Sequence, residues 1–163
     1  MQSSRIRTTA LWILTLYVAF VFIQSLFFKF TNSPETQYIF GTLNAWGGTL
    51  GFPGLFATDG IFSQYVVGTA ELIASASLLA GMITRKSVLH GAGALLSIGV
   101  ISGAIFFHLF TPLGVQVLNT DGTLDGGELF ALACGVWVCS AAIVWLNHSD
   151  LLAFIKSITK STT

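Results

Sequence analysis

One carboxylate lies inside a long apolar stretch of this sequence. Glu71 is the only charged residue between positions 61 and 83. In a helix it would lie about 15 Å from the start of that stretch, where burial favours the neutral, protonated acid. A neutral carboxyl donates one hydrogen bond, and Gln24 is the favoured acceptor at a similar depth in the first apolar stretch. Such an acid either stabilises the packing of the helices or forms part of a site that binds a ligand or transfers a proton. Acids within membranes are commonly functional.

A second group of polar side chains lies near the predicted outer ends of the apolar stretches. Its members are Lys29, His108, Asp125 and Glu128. Asp125 can cap the helix that follows it, while Glu128 occupies the first turn, where the helix dipole favours an acid. The alternative is that the group forms a site for a ligand or a proton at the outer mouth of the protein. Lys29 is predicted to lie two to three helical turns above Glu71 unless the helices are staggered, so a hydrogen-bonded neutral acid is favoured over a buried ion pair.

The motifs give little support for a metal-binding site or a catalytic nucleophile. The segment from Asp121 to Gly126 imitates the start of a calcium loop, but the twelfth position is Leu132 instead of a bidentate glutamate. His108, Asp125 and Glu128 lack the close spacing of helical zinc ligands. Cys134 and Cys139 would point away from each other on a helix, which excludes a disulfide between them. No metal site is therefore predicted.

The composition places the chain in a membrane. Its 163 residues are 53% hydrophobic and only 9% charged, whereas soluble domains carry about 25% charged residues. The formal net charge is zero, with no basic stripe, so nucleic acid is not expected as a partner. The lipid bilayer is the expected environment.

Four apolar stretches are long enough to cross that bilayer. A hydrocarbon core of about 30 Å needs about 20 helical residues, and the stretches cover residues 9–28, 61–83, 88–110 and 129–146. They predict a single all-α domain over residues 1–163, folded as a compact four-transmembrane-helix bundle. Small residues in the second stretch and the pair Gly99 and Gly103 in the third allow close helix packing. Packing within the chain is the favoured use of that glycine pair, and a dimer face is the alternative.

The distribution of charges predicts an orientation. Basic residues concentrate on the side that holds the two termini and the 84–87 hairpin, and among Lys and Arg only Lys29 falls on the opposite side. Because positive charge collects in the cytoplasm, both termini are expected there, with the protein spanning the inner (plasma) membrane. His90 and His148 fall at the cytoplasmic boundary and are predicted to be interfacial.

The first outer loop carries its own helix signal. Ser33 followed by Pro34 is typical of an N-cap and a first helical position. Ile39, Leu43 and Trp46 then fall on one face before a glycine pair. We expect a short interfacial helix lying on the outer leaflet.

The order of the motifs resembles the DoxX-like family of four-helix integral membrane proteins. The matching segments are Phe28-Lys29-Phe30 at the end of the first stretch, Gly68-Thr69-Ala70-Glu71-Leu72 in the second, residues 107–114 at the exit of the third, and Asp125-Gly126-Gly127 before the fourth. The resemblance covers the chain from about residue 5 to residue 146. It implies a four-helix fold and a link to membrane redox complexes that use quinones.

Two functional hypotheses follow from this resemblance. The first is an accessory subunit of a quinone-linked membrane oxidoreductase, with Glu71 beside a quinone head group and electrons supplied by a partner subunit. The second is a non-catalytic membrane chaperone or scaffold in which Glu71 grips a client membrane protein. A homo-oligomer is compatible with either, and the sequence does not decide whether the protein is an enzyme.

Overall fold

A computed structural model describes residues 2–119 and 121–161 of the chain, which form five α-helices. The helices are α1 (Gln2–Phe30), α2 (Pro34–Thr49), α3 (Gln64–Ile83), α4 (Ser87–Phe110) and α5 (Glu128–Ser161). Within those ranges the only β pairing is an isolated antiparallel bridge between Leu118 and Leu124. The predicted all-α fold is therefore confirmed.

Four of these helices are long and apolar enough to cross a membrane, namely α1, α3, α4 and α5. They pack in a ring in which α1 contacts α3, α3 contacts α4, α4 contacts α5 and α5 contacts α1. The core between them contains fully buried apolar side chains, among them Val18, Leu78, Val136 and Ile143, together with several buried polar side chains. The chain thus has the architecture of a multi-pass membrane protein.

The second membrane-spanning helix starts three residues later than the apolar stretch predicts. Ser63 caps α3, since its side chain accepts a hydrogen bond from the Val66 amide at 3.3 Å. Ile61 therefore lies in the preceding turn, although its side chain is apolar. A cap that satisfies the free amides of the first turn fixes a helix start more firmly than hydrophobicity does. The outer side of the helices is the one on which α2 and residues 111–119 lie, and the inner side is the opposite one. Glu71 is consequently closer to the outer end of α3 than predicted.

The small residues do not all serve packing within the chain. At Gly81, a methyl group would lie 2.6 Å from Cα of His90, and at Gly93 it would lie 2.8 Å from the backbone nitrogen of Leu78. These two glycines therefore bring α3 and α4 into close contact. Gly99 has no atom near enough to touch such a methyl group, and Gly103 meets only Phe107 of its own helix. The predicted packing of this glycine pair within the chain is therefore wrong, and the pair faces outward.

Outside the ring, α2 packs into a second, smaller core. Leu43 of α2 is buried with Phe56, Leu113 and Val117 from the two outer loops. As predicted, Ser33 caps α2 by accepting a hydrogen bond from the Thr36 amide, with Pro34 as the first helical residue. This second core fixes the outer loops over the ends of the ring.

Candidate functional site

The side chains of Lys29 and Glu71 form an ion pair between α1 and α3. Nζ of Lys29 donates to Oε1 of Glu71 at 3.1 Å and lies 3.0 Å from Oε2, without hydrogen-bond geometry to that second oxygen. It also donates to the hydroxyl of Ser25, one turn earlier on α1. The two charged side chains are only 14% and 6% exposed. This is a largely buried pair of opposite charges.

The prediction that Lys29 lies too high to reach Glu71 is wrong. Glu71 is only about 10 Å along α3 from Gln64, and the Gln64 side chain donates to the backbone carbonyl of Lys29 at 3.0 Å. Side chains on helices lean toward the helix N-terminus. Because α1 and α3 run antiparallel, Lys29 leans inward and Glu71 leans outward, and the two meet.

The predicted hydrogen bond between a neutral Glu71 and Gln24 is also wrong. Gln24 lies on the exposed side of α1, while the partner of Glu71 is the ammonium group of Lys29. Gln24 therefore does not belong to the site.

The surroundings of the ion pair are aromatic on one side and polar on the other. Gly68 lets α3 approach both the aliphatic part of Lys29 and the ring of Phe30. The ring centroids of Phe30 and Tyr65 lie 6.1 Å apart, and the two residues are 47% and 39% exposed. Above the pair, Gln64 donates to the side-chain oxygen of Asn32 at 3.0 Å. A planar ligand could thus contact both exposed rings next to an ammonium group.

Asp125 organises the outer loop and the start of α5. Its Oδ1 accepts hydrogen bonds from the amides of Val117 and Gly127, both at 2.9 Å, and its Oδ2 accepts one from Leu129 at 3.0 Å. Positive φ angles at Gly126 and Gly127 turn the chain so that one carboxylate reaches all three amides. Burial raises the pKa of this carboxyl, but the hydrogen bonds from the three amides, together with an electrostatic contribution from His108, outweigh burial and hold the pKa below its usual value. The capping interpretation of Asp125 accounts for these contacts.

We expect Asp125→Ala to lower the free energy of unfolding by about 2 kcal/mol, because three amides lose a charged acceptor. Since the folded-state pKa is depressed, the contribution of Asp125 is present above its unfolded-state pKa and is lost as the pH falls through the folded-state value. Thermal melting in mild detergent between pH 7 and pH 3 measures both effects. The variant should be less stable at pH 7 and less sensitive to acid, and equal curves for variant and wild type would contradict the capping role.

The other outer candidates do not join the ion pair in one site. His108 is buried, and its Nδ1 lies 2.7 Å from the carbonyl of Gly114, which identifies Nδ1 as the protonated nitrogen. Its ring also contacts the edge of Phe130. Glu128 is the first residue of α5 and is exposed. Within residues 2–119 and 121–161, no three His, Cys, Asp or Glu side chains group in a way that could hold a metal ion.

The sequence interpretation missed a buried polar network at the inner end of the bundle. His90, predicted to be interfacial, is only 2% exposed. Its Nε2 lies 2.7 Å from the Thr15 hydroxyl and its Nδ1 lies 3.1 Å from the side-chain nitrogen of Asn147. That nitrogen also donates to the carbonyl of Ile143. The network joins α1, α4 and α5, and specifies a neutral imidazole that carries its proton on Nε2.

The pair of Lys29 and Glu71 can form hydrogen bonds with a ligand and can exchange a proton with it. The ammonium group is a donor for a carbonyl or hydroxyl oxygen, and the carboxylate can accept a proton. Both groups lie at the outer end of α1 and α3, beside exposed aromatic rings. No family model, curated protein or solved structure matches this chain.

Proposed function

We propose that this chain is a DoxX-like membrane protein that acts as an accessory subunit of a quinone-linked oxidoreductase. The observation that carries the proposal is the buried pair of Lys29 and Glu71 next to two exposed aromatic rings. A quinone head group is planar and has carbonyl oxygens, so it fits an ammonium donor beside an aromatic surface. Bound there, a quinone supplies two-electron redox chemistry, with a partner subunit as the source of electrons.

The residues present meet the requirements of such a ligand. Lys29 keeps 14% of its side chain exposed. Its ammonium group has three N–H donors, and the contacts to Ser25 and Glu71 use two of them. Both carboxyl oxygens of Glu71 lie within 3.1 Å of Nζ of Lys29, so Glu71 holds the ammonium group in position for the ligand. Phe30 and Tyr65 offer ring surfaces at the lipid boundary, where quinones with long apolar tails partition.

The proposal is tested by purifying the full-length protein in a mild detergent and measuring quinone in the lipid extract by mass spectrometry. We expect quinone to co-purify with the wild type and with Gln24→Leu, a control on the exposed side of α1. We expect it to be lost from Glu71→Gln at equal yield and helical content. A wild type without quinone, or Glu71→Gln with wild-type quinone, would contradict the proposal.

A second candidate function is a chaperone or scaffold for a client membrane protein. One observation favours it, namely that Gly99 and Gly103 present a small-residue face that no other helix of the described chain covers. Such faces let transmembrane helices approach closely, and a second copy of this chain could use the same face. The purification distinguishes the two functions, because a co-purifying membrane protein without quinone supports the scaffold.

For the orientation we propose cytoplasmic termini in the inner membrane, because Arg and Lys residues collect at the inner ends of the helices. A membrane-impermeant maleimide should label Thr123→Cys in intact cells. It should label Thr84→Cys, in the hairpin between α3 and α4, only after the membrane is permeabilised. Labelling of both positions in intact cells would refute this topology.

A further inference from the structure

Three serine side chains lie at one level inside the bundle. Ser97 is two helical turns beyond His90 on α4, and Ser140 is two turns before Asn147 on α5. Because His90 and Asn147 are hydrogen-bonded and the two helices are antiparallel, Ser97 and Ser140 share a level. Two contacts further along the same pair of helices support this register. The indole nitrogen of Trp137 donates a hydrogen bond to the hydroxyl of Ser102, and the ring of His108 packs on that of Phe130.

Ser75 of α3 reaches the same level. A methyl group at Gly93 would touch the backbone of Leu78 and Ala74, so α4 lies close to α3 at this point. Ser97, one turn after Gly93, therefore lies beside Ala74 and Ser75. Ser75, Ser97 and Ser140 are each 1% exposed or less. We call these three residues the serine layer. Glu71 lies one helical turn outward from Ser75 on the same face of α3.

Several polar atoms at and next to the serine layer lack a hydrogen-bond partner among the described residues. They are the hydroxyls of Ser75 and Ser140 and Oε2 of Glu71. Ser97 is satisfied by the carbonyl of Gly93 at 2.9 Å. Unpaired buried polar groups are rare in proteins because they lose hydration without compensation. The two hydroxyls share a level inside the ring, and Oε2, which lies 3.0 Å from Nζ of Lys29, is one helical turn outward from Ser75. This placement indicates that they share a bound partner.

We infer that one or two water molecules bind between the serine layer and the inward side of Glu71. A buried water makes two to four hydrogen bonds, and the two hydroxyls and the carboxylate oxygen supply acceptors and donors for them. The ammonium group of Lys29 disfavours a metal cation at this position, since it lies 3.0 Å from Oε2. Water is uncharged and can both donate and accept.

The water site goes beyond the proposed function, because its existence requires no quinone. One consequence rests on that function. Nζ of Lys29 lies 3.1 Å from Oε1 and 3.0 Å from Oε2 of Glu71. When this ammonium group turns toward a ligand, the waters supply hydrogen bonds to Glu71 in its place.

The test is water-edited solid-state NMR on the full chain, ¹³C-labelled and reconstituted in lipid bilayers. Magnetisation should pass from water to Cβ of Ser75 and Ser140 faster than to Ala94 and Ile143, which are fully buried apolar references. Transfer to both serines as slow as to these references would overturn the inference. Quinone retention is measured separately, so failure here leaves the proposed function standing, and the reverse also holds.

A double variant, Ser75→Ala with Ser140→Ala, distinguishes a hydrated serine layer from a dry one. If the layer is hydrated, removing the hydroxyls should slow transfer from water to Cδ of Glu71 and lower the melting temperature. If the hydroxyls are dry and unpaired, their removal should raise the melting temperature, which would overturn the inference. Ser77→Ala, on the same helix and outside the serine layer, is the matched control and should leave transfer to Glu71 unchanged.

Discussion

Gly81→Ala is expected to destabilise the protein by about 3 kcal/mol, at the upper end of the cost of overpacking. The new methyl group would lie 2.6 Å from Cα and 2.8 Å from Cβ of His90, and would also overlap the backbone nitrogen of that residue. Backbone atoms of a helix cannot rotate away, so α3 and α4 must separate. The separation would also pull His90 away from Thr15 and Asn147. A thermal melt of the purified variant in mild detergent measures the loss.

Gly99→Ala is the matched control for this prediction. Gly99 is also a glycine of a membrane-spanning helix, but nothing lies within 4 Å of the position of the added methyl group. Alanine has a higher helix propensity than glycine, so this variant should be as stable as the wild type or more stable. Equal destabilisation by the two substitutions would contradict the helix packing described above.

Removing one member of the ion pair between Lys29 and Glu71 is expected to have the second large effect on stability. The two single variants should differ in how much stability they lose. Lys29→Met leaves a buried carboxylate without its partner and should cost about 3 kcal/mol of the free energy of unfolding. Glu71→Gln leaves an ammonium group on a flexible side chain near the outer end of α1, from which it can reach the headgroups. That variant should cost less, about 1–2 kcal/mol. Chemical denaturation in mixed micelles gives both values, and an equal cost for the two would refute this asymmetry.

Much of the fold could be predicted because it depends on properties that the sequence shows directly. Apolar stretches of sufficient length indicate four helices that can span a membrane, and Ser33 followed by Pro34 marks the start of α2. Capping of α5 by Asp125 was one of the two predicted uses of this carboxylate, and its hydrogen bonds to three amides agree with it. Each of these features depends on a few residues that are neighbours in the sequence, so the sequence alone is enough to predict it.

The predictions that failed depend on which side of each helix faces the protein. All sides of a membrane-spanning helix are apolar, so periodicity does not separate the interior from the lipid face. For that reason His90 was expected at the interface and is buried, while Gly99 and Gly103 were expected in the interior and face outward. The pairing of Lys29 with Glu71 failed for a different reason. It required the cap at Ser63 and the opposite lean of the two side chains.

The double variant Lys29→Met with Glu71→Gln tests the proposed site most directly. With both charges removed, no buried charge lacks a partner, so stability should return to within about 1 kcal/mol of the wild type. We measure stability and quinone content on the same purified sample. We expect a stable bundle that retains no quinone, because the ammonium donor and the carboxylate are gone. A stable double variant that retains quinone at the wild-type level would show that the pair only ties α1 to α3, and would contradict the proposed site.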